Sequence, residues 1–253
     1  MGKRQATEIF EEELSKRNMA FTILEPELYE IRVHGGTYTV SLQNVAREYE
    51  REGDPACIVH FVEQALRQSE LPAWEDAGPR LYWSAEPSDQ DFGETLREEI
   101  TPTVSRVLVL ADPHEERIRW LTQRELATWG VDIADLRAAA GQNLDRLLVG
   151  KKPEVSLVDG HQLGMIPVES VFKASLVFAP GFKDFVEADI GWPVLAVIPC
   201  RDFIYVIAES DKAFLGRLGG VVQREFRESG YPITTEVLRI ADDGIRAIGA
   251  FPR

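Results

Sequence analysis

The stretch VLAVIPCRDFIYVIAESDKAFLGRLGGVVQREF, residues 194–226, decides the fold class. Val194 to Ile198 and Phe203 to Ala208 are short runs rich in β-branched and aromatic residues, split by Pro199-Cys200-Arg201-Asp202. Two such runs around a tight polar turn predict an antiparallel hairpin. A parallel pair would need a crossover of a dozen or more residues. Ser210 then stands where a helix N-cap is expected, ahead of Phe214, Leu215, Leu218, Val221, Val222 and Phe226 at helical spacing. The unit is therefore hairpin, then helix.

The same order recurs on both sides. Upstream, Phe21 to Leu24, Tyr29 to Val33 and Thr37 to Val40 read as strands, with Gly35-Gly36 as a turn. A helix with Leu42, Val45, Ala46 and Tyr49 follows, with Ser41 as its expected N-cap and Gly53-Asp54-Pro55 as its stop. Helical stripes are also expected over Ala6, Ile9, Phe10 and Leu14, and from Cys57 through Ile58, Phe61, Val62, Ala65 and Leu66. Val104 to Leu110 and Arg117 to Leu121 form a hairpin. Thr122 and Glu125 then make a capping box, Gly130 stops that short helix, and Asp132 caps the next, with its stripe of Ile133, Leu136, Ala140, Leu144, Leu147 and Leu148. Asp159-Gly160 joins Val155–Val158 to Leu163–Ile166, and Asp242-Asp243-Gly244 joins Thr235–Ile240 to Ile245–Ile248. Antiparallel hairpins each followed by helices predict an α+β fold and exclude a doubly wound parallel sheet. No residue-level repeat underlies the recurrence.

From Glu70 to Asp91 the text changes: Leu71-Pro72, Gly78-Pro79 and Glu86-Pro87 punctuate Trp74, Tyr82 and Trp83. We expect two subdomains: residues 1–75, an N-terminal α+β unit; 76–103, a proline- and aromatic-rich connection that packs down; and 104–253, a C-terminal α+β unit.

Composition narrows the role. The 253 residues suffice for a real core, and 44% hydrophobic with 28% charged residues is a globular balance. Asp and Glu total 42 against 28 Lys and Arg, a formal net charge of -14, and the basic residues are interleaved with acids. Nucleic-acid binding is not expected without a basic patch, whereas a basic partner would suit the surface. The opening MGKRQATEIFEEELSKR has no apolar core of a secretory signal, and Ala6 stands where a myristoylation signal needs Ser or Thr. Apolar runs such as Pro193–Pro199 are too short for a membrane span. Cytoplasmic placement with Cys57 and Cys200 as free thiols is the expectation.

No nucleotide loop, nucleophile elbow or zinc-protease motif occurs, and Gly216-x-x-Gly219-Gly220 lies inside a helical pattern, where it predicts close helix packing. Cys57-x-x-His60 has half-site metal spacing but no second pair, and on a helix His60 falls opposite the buried stripe. Asp159-Gly160-His161 reads as a turn and not as an acid orienting a base, while His34 and His114 sit in turns without a role. No cofactor and no metal are expected. Cys200 beside Arg201 is the one thiol with an enzymatic reading, as a nucleophile of lowered pKa. Against it stands a small residue in a tight turn. Arg201 and Asp202 would fix that turn by an Asx-type hydrogen bond and a surface ion pair, or Arg201 would be held by a carboxylate or carbonyls from another element.

Several stretches together resemble the YtpQ family of bacterial proteins, a group of unknown function. They are Ser41-Leu42-Gln43-Asn44-Val45 with Tyr49, residues 106–148 closing on Asn143-Leu144, Lys173-Ala174-Ser175-Leu176, and Pro193 to Asp202 with its Pro199-x-Arg201-Asp202. They cover somewhat more than half the chain. Cys200 departs from the Ser or Thr usual there in the family. The resemblance implies an α+β protein without established catalytic residues and a short list of polar candidates: Asn44, Asn143, Ser175, Arg201 and Asp202. The expected function is a non-enzymatic module that binds a protein or a small molecule. The alternative is a hydrolase- or transferase-like enzyme using Ser175 or Cys200 with Arg201 as anion holder.

Overall fold

A computed structural model describes residues 2–33, 36–68, 71–113 and 118–252, with the side chains of 2–3, 33, 36–39, 43–44 and 64–68 left aside. It divides into two compact units, Met1–Pro72 and Ala73–Arg253. Both are α+β, and every strand pair between named strands is antiparallel.

In the first unit, helix α1 (Gly2–Lys16) precedes strands β1 (Ala20–Glu25), β2 (Leu28–Val33) and β3 (Gly36–Ser41), which pair in that order. Helices α2 (Gln43–Glu52) and α3 (Ala56–Gln68) follow. The expected stripes meet in one core, where Ala6, Phe10 and Leu14 of α1 join Tyr29, Leu42, Ala46, Ile58 and Val62. The Phe10 and Tyr29 rings meet edge to face at 4.9 Å, and the Tyr29 hydroxyl donates to Glu11 Oε1 at 2.7 Å. Leu42, not Ser41, occupies the N-cap of α2, because Ser41 is still paired as the last residue of β3. Gly53 ends α2 in the left-handed region at φ 69°, donating its N–H to Tyr49. Gly36, expected in the turn, is the first residue of β3 and faces Val33, while Gly35 and His34 lie outside the described residues, as does His114.

The second unit opens with α4 (Trp74–Ala77) and a 3-10 turn at Gly78–Arg80. Strands β4 (Leu81–Pro87), β5 (Arg97–Glu99), β6 (Val104–Ala111) and β7 (Ile118–Trp120) build one sheet, in which β6 pairs with all three others. The connection expected over 76–103 is thus part of the second unit, and β4 is among its most buried strands. The alternation that marks a half-exposed strand is missing because β4 is covered on both faces. Pro79 sits in the first positions of the 3-10 turn, and Pro87 ends the strand. The prolines punctuate the ends of β4 and leave its interior intact.

Helices α5 (Gln123–Thr128) and α6 (Ile133–Leu148) follow, with the Thr122–Glu125 capping box and the Asp132 cap both formed. Ile133 of the expected α6 stripe is exposed, whereas Leu136, Ala140, Leu144 and Leu148 are buried. Next come β8 (Glu154–Val158), β9 (His161–Met165), a 3-10 helix at Ala174–Phe178, α7 (Phe182–Glu187), β10 (Val194–Val197) and β11 (Tyr205–Ala208). Helix α8 (Leu215–Glu228), β12 (Glu236–Ala241) and β13 (Gly244–Ala250) complete the order. The larger sheet runs β13-β12-β10-β11-β9-β8. Asp159 and Gly160, both at positive φ, close the β8–β9 hairpin as a two-residue turn. Ser210 caps nothing: it lies within a 3-10 segment, Glu209–Phe214, that leads into α8. One face of α8 lies on the sheet, where Phe214, Leu218 and Val222 pack on Leu163, Leu195, Val197, Ile207 and Val237. The glycines of α8 do not mediate helix packing. A Cβ at Gly219 would meet the Phe251 ring at 3.3 Å, while Gly216 and Gly220 face open space.

Candidate functional site

Strand β4 gathers three of the five residues picked out from the sequence, Asn143, Ser175 and Arg201. Its pairing to β6 uses one edge, and the other edge presents the backbone of Leu81 and Ala85 to side chains from distant segments. Asn143, buried on α6, donates from Nδ2 to Gly78 O at 2.8 Å and to Leu81 O at 2.7 Å. Ser175, buried in the 3-10 helix, accepts the Ala85 N–H on Oγ at 2.8 Å. Both therefore satisfy backbone groups that an uncovered strand edge would leave unpaired.

Arg201 reaches the same strand. Its Nη2 lies 3.1 Å from Glu86 Oε1, with side chains only 16% and 5% exposed. The same oxygen accepts the Ser84 hydroxyl at 2.6 Å, because Ser84 and Glu86 point to one face of β4. The guanidinium lies over the Tyr231 ring at 4.4 Å. Its backbone is fixed as well: Arg201 N–H donates to Tyr231 O at 3.2 Å, and Arg201 O accepts from Ala174 at 3.0 Å. The expected surface pair with Asp202 gives way to this buried one. Asp202 is exposed, and its backbone N–H faces the Cys200 sulfur. Nearby, Thr101 bonds the buried carboxylate of Glu236, and Thr103 Oγ1 meets Thr234 Oγ1 at 2.6 Å. A polar seam thus ties the smaller sheet to the larger one.

Neither proposed nucleophile is presented to a substrate. Ser175 is committed to the Ala85 N–H. Cys200 is 3% exposed, and burial pushes its thiol up against the opposing pull of the Asp202 N–H and the Ser229 hydroxyl. His161, the histidine weighed as a base, is paired with Asp211 Oδ1 and stacked on Phe214 at 5.1 Å. Its neighbour Asp159 instead faces Arg217. Cys57 is half-buried with its S–H directed at Asp54 O (3.0 Å), and His60 is exposed. Among the described residues no three His, Cys, Asp or Glu side chains are grouped to hold a metal ion. The Asn44 side chain lies outside the described residues.

A second constellation was not foreseen. A hollow of about 420 Å³ is walled by Ile190, Trp192, Pro193, Ala208, Glu209 and Ser210. The Trp192–Pro193 peptide is cis. Trp192 is half-buried; its indole N–H donates to Asp242 Oδ1 at 3.1 Å. Lys183 Nζ donates to the same oxygen at 2.9 Å and stands 5.6 Å from the Trp192 ring centre. These two donors hold the Asp242 carboxyl below its ordinary value. Glu209, on the wall, is paired with Arg239 at 2.8 Å. The sequence signals for this place were Gly191-Trp192-Pro193 before a strand and the Asp242-Asp243-Gly244 turn. Only the fold brings them together. Glu86 was missed for the same reason: it follows the mostly apolar run Leu81 to Ala85 directly before Pro87, where an acid fits an exposed loop as well as a buried pair.

Comparison of the chain with known protein families, with characterised proteins and with solved structures finds no match. No helix among the described residues is long and apolar enough to cross a membrane.

Proposed function

We propose that this chain is a cytoplasmic, non-enzymatic binding module, and that its second unit takes a protein or small-molecule ligand in the hollow beside Trp192. One observation carries the reading: an accessible indole on a concave wall already holds a cation, since Lys183 stands by its ring and shares Asp242 with it. An aromatic face next to a carboxylate suits an ammonium or guanidinium group. A Lys- or Arg-bearing segment of a basic partner has that chemistry, and the net charge of -14 would steer it inward. Duplex DNA has the opposite charge and is not a ligand on this reading.

The enzymatic alternative has less support, because Ser175 is spent on a backbone N–H and the Cys200 thiol is buried and raised. Membership of the YtpQ-like group remains a proposal resting on the motifs quoted above.

A screen of amine, guanidine and neutral aromatic fragments by ligand-observed NMR tests the reading. Cationic fragments are expected to bind the wild-type protein and to lose binding in Trp192→Ala. Hits that persist in Trp192→Ala place the ligand elsewhere. Stoichiometric labelling of Ser175 by a fluorophosphonate, or fast alkylation of Cys200 in the folded protein, would restore the enzyme.

A further inference from the structure

Strand β8 ends the larger sheet, and all five of its residues are exposed. Leu157 is 75% exposed, with Val155 and Val158 also on the surface. The helix layers stop short of it. On one face α8 covers Leu163 of β9, and on the other Ile190 presses so closely on Gly164 that no Cβ fits there. Natural edge strands are ordinarily blunted by a charge, a proline or a bulge. Here the blunting residues stand at the ends, Pro153 and Glu154 at the start and Asp159 just past the finish, and the stretch Val155–Val158 between them carries neither charge nor proline.

The hairpin fixes which backbone groups are free. Val158 pairs with His161 across the two-residue turn, so Val158, Ser156 and Glu154 bond inward to β9. The N–H and C=O groups of Val155 and Leu157 therefore point away from the sheet. We infer that β8 is a self-association edge, pairing antiparallel with β8 of a second copy about a two-fold axis at Ser156.

That register is dictated by the strand. With Ser156 opposite Ser156 of the other copy, Val155 faces Leu157 and Leu157 faces Val155. All the outward N–H and C=O groups of these residues are then bonded, and the apolar side chains form one cluster on one face. The flanks agree in charge. Lys151 and Lys152 precede the strand and Asp159 follows it, so each copy brings ammonium groups beside the other's carboxylate. Moving the axis to Leu157 would set Val155 against Asp159 and separate these charges. A second copy is the occupant that matches its own edge, as an isologous contact requires. The pairing is short and lies below the roughly 1,200 Å² of a standard interface, so the dimer is weak and concentration-dependent.

Sedimentation velocity of the full chain over a wide concentration range tests this. The wild type should shift from monomer toward dimer at the highest concentrations. Leu157→Lys and Leu157→Pro should stay monomeric; the proline removes only an outward N–H, so the β8–β9 ladder survives, which circular dichroism checks. A covalent readout is independent. In a Cys57→Ser background, Ser156→Cys should oxidise to a disulfide-linked dimer much faster than a control cysteine at exposed Gln142, since facing residues at a non-hydrogen-bonded pair lie about 4.5 Å apart. Adding Leu157→Pro should return it to the control rate. A wild type that stays monomeric throughout, or a dimer indifferent to both Leu157 variants, overturns the inference. So does equal oxidation of the two cysteines.

Discussion

Two places in the second unit are built from the same parts. Arg201, Glu86 and Tyr231 form one trio of cation, carboxylate and aromatic ring; Lys183, Asp242 and Trp192 form the other. Their settings differ. The first pair is 16% and 5% exposed, the second 37% and 74%. Desolvation makes the difference in what each can do. A buried carboxylate cannot release its cation without stranding a charge, so the first trio is a joint. An exposed pair gives up little when a competing cation or water replaces one partner, so the second trio is free to exchange.

The largest expected effect breaks the joint. Arg201→Ala leaves Glu86 charged and buried, and should cost about 3–5 kcal/mol of stability. All five tryptophans lie in the second unit, so fluorescence-detected urea unfolding reads it without interference from the first. Replacing both partners at once, Arg201→Met with Glu86→Leu, should recover most of the loss, because the penalty belongs to the orphaned charge and not to the missing attraction. A double variant as unstable as Arg201→Ala would mean that the guanidinium acts chiefly through Tyr231 and the turn backbone.

Next in size are the side chains that cover the free edge of β4. Ser175→Ala should cost about 1–3 kcal/mol by leaving the Ala85 N–H buried and unpaired. Asn143→Ala uncovers two carbonyls and should cost at least as much. If either variant keeps its stability, water reaches the edge, and the strand is less sealed than its burial shows. Asp202→Asn, on an exposed side chain, should be nearly silent.

How legible this was in the sequence follows from range. Local signals carried over: the Thr122–Glu125 box, the Asp132 cap, the Asp159-Gly160 turn and the hairpin of residues 194–208 depend on neighbours a few residues apart. Arg201 was picked out as needing a partner from another element, and Glu86 is that partner, 115 residues away. The partner itself was hidden because proline-flanked, doubly buried β4 lacks both the alternation of a strand and the polarity of a loop. Ser41 and Ser210 failed as caps because a small hydroxyl residue before an apolar stripe fits a strand end or a 3-10 turn as well as an N-cap. In the second trio Asp242 lies 59 residues from Lys183 and 50 from Trp192, and neither segment carries a motif.

The smallest effect is the sharpest test of exchange at the second trio. Asp242 is held below its ordinary value first by the Lys183 ammonium and then by the Trp192 indole N–H. A carboxyl depressed in the folded state stabilises the protein above its unfolded value, about 3.9, and that contribution fades as pH falls through the lower folded value. For so exposed a pair the effect on unfolding should be slight, and the site-specific titration is the better readout. Carbon-detected NMR should find the Asp242 midpoint below that of a free aspartate, rising in Lys183→Met and again when Trp192→Phe removes the indole donor. Salt should raise it too, since mobile ions compete for an open pair. If Asp242 ignores both Lys183→Met and salt, the second trio is as locked as the first, and the hollow beside it has no cation to trade.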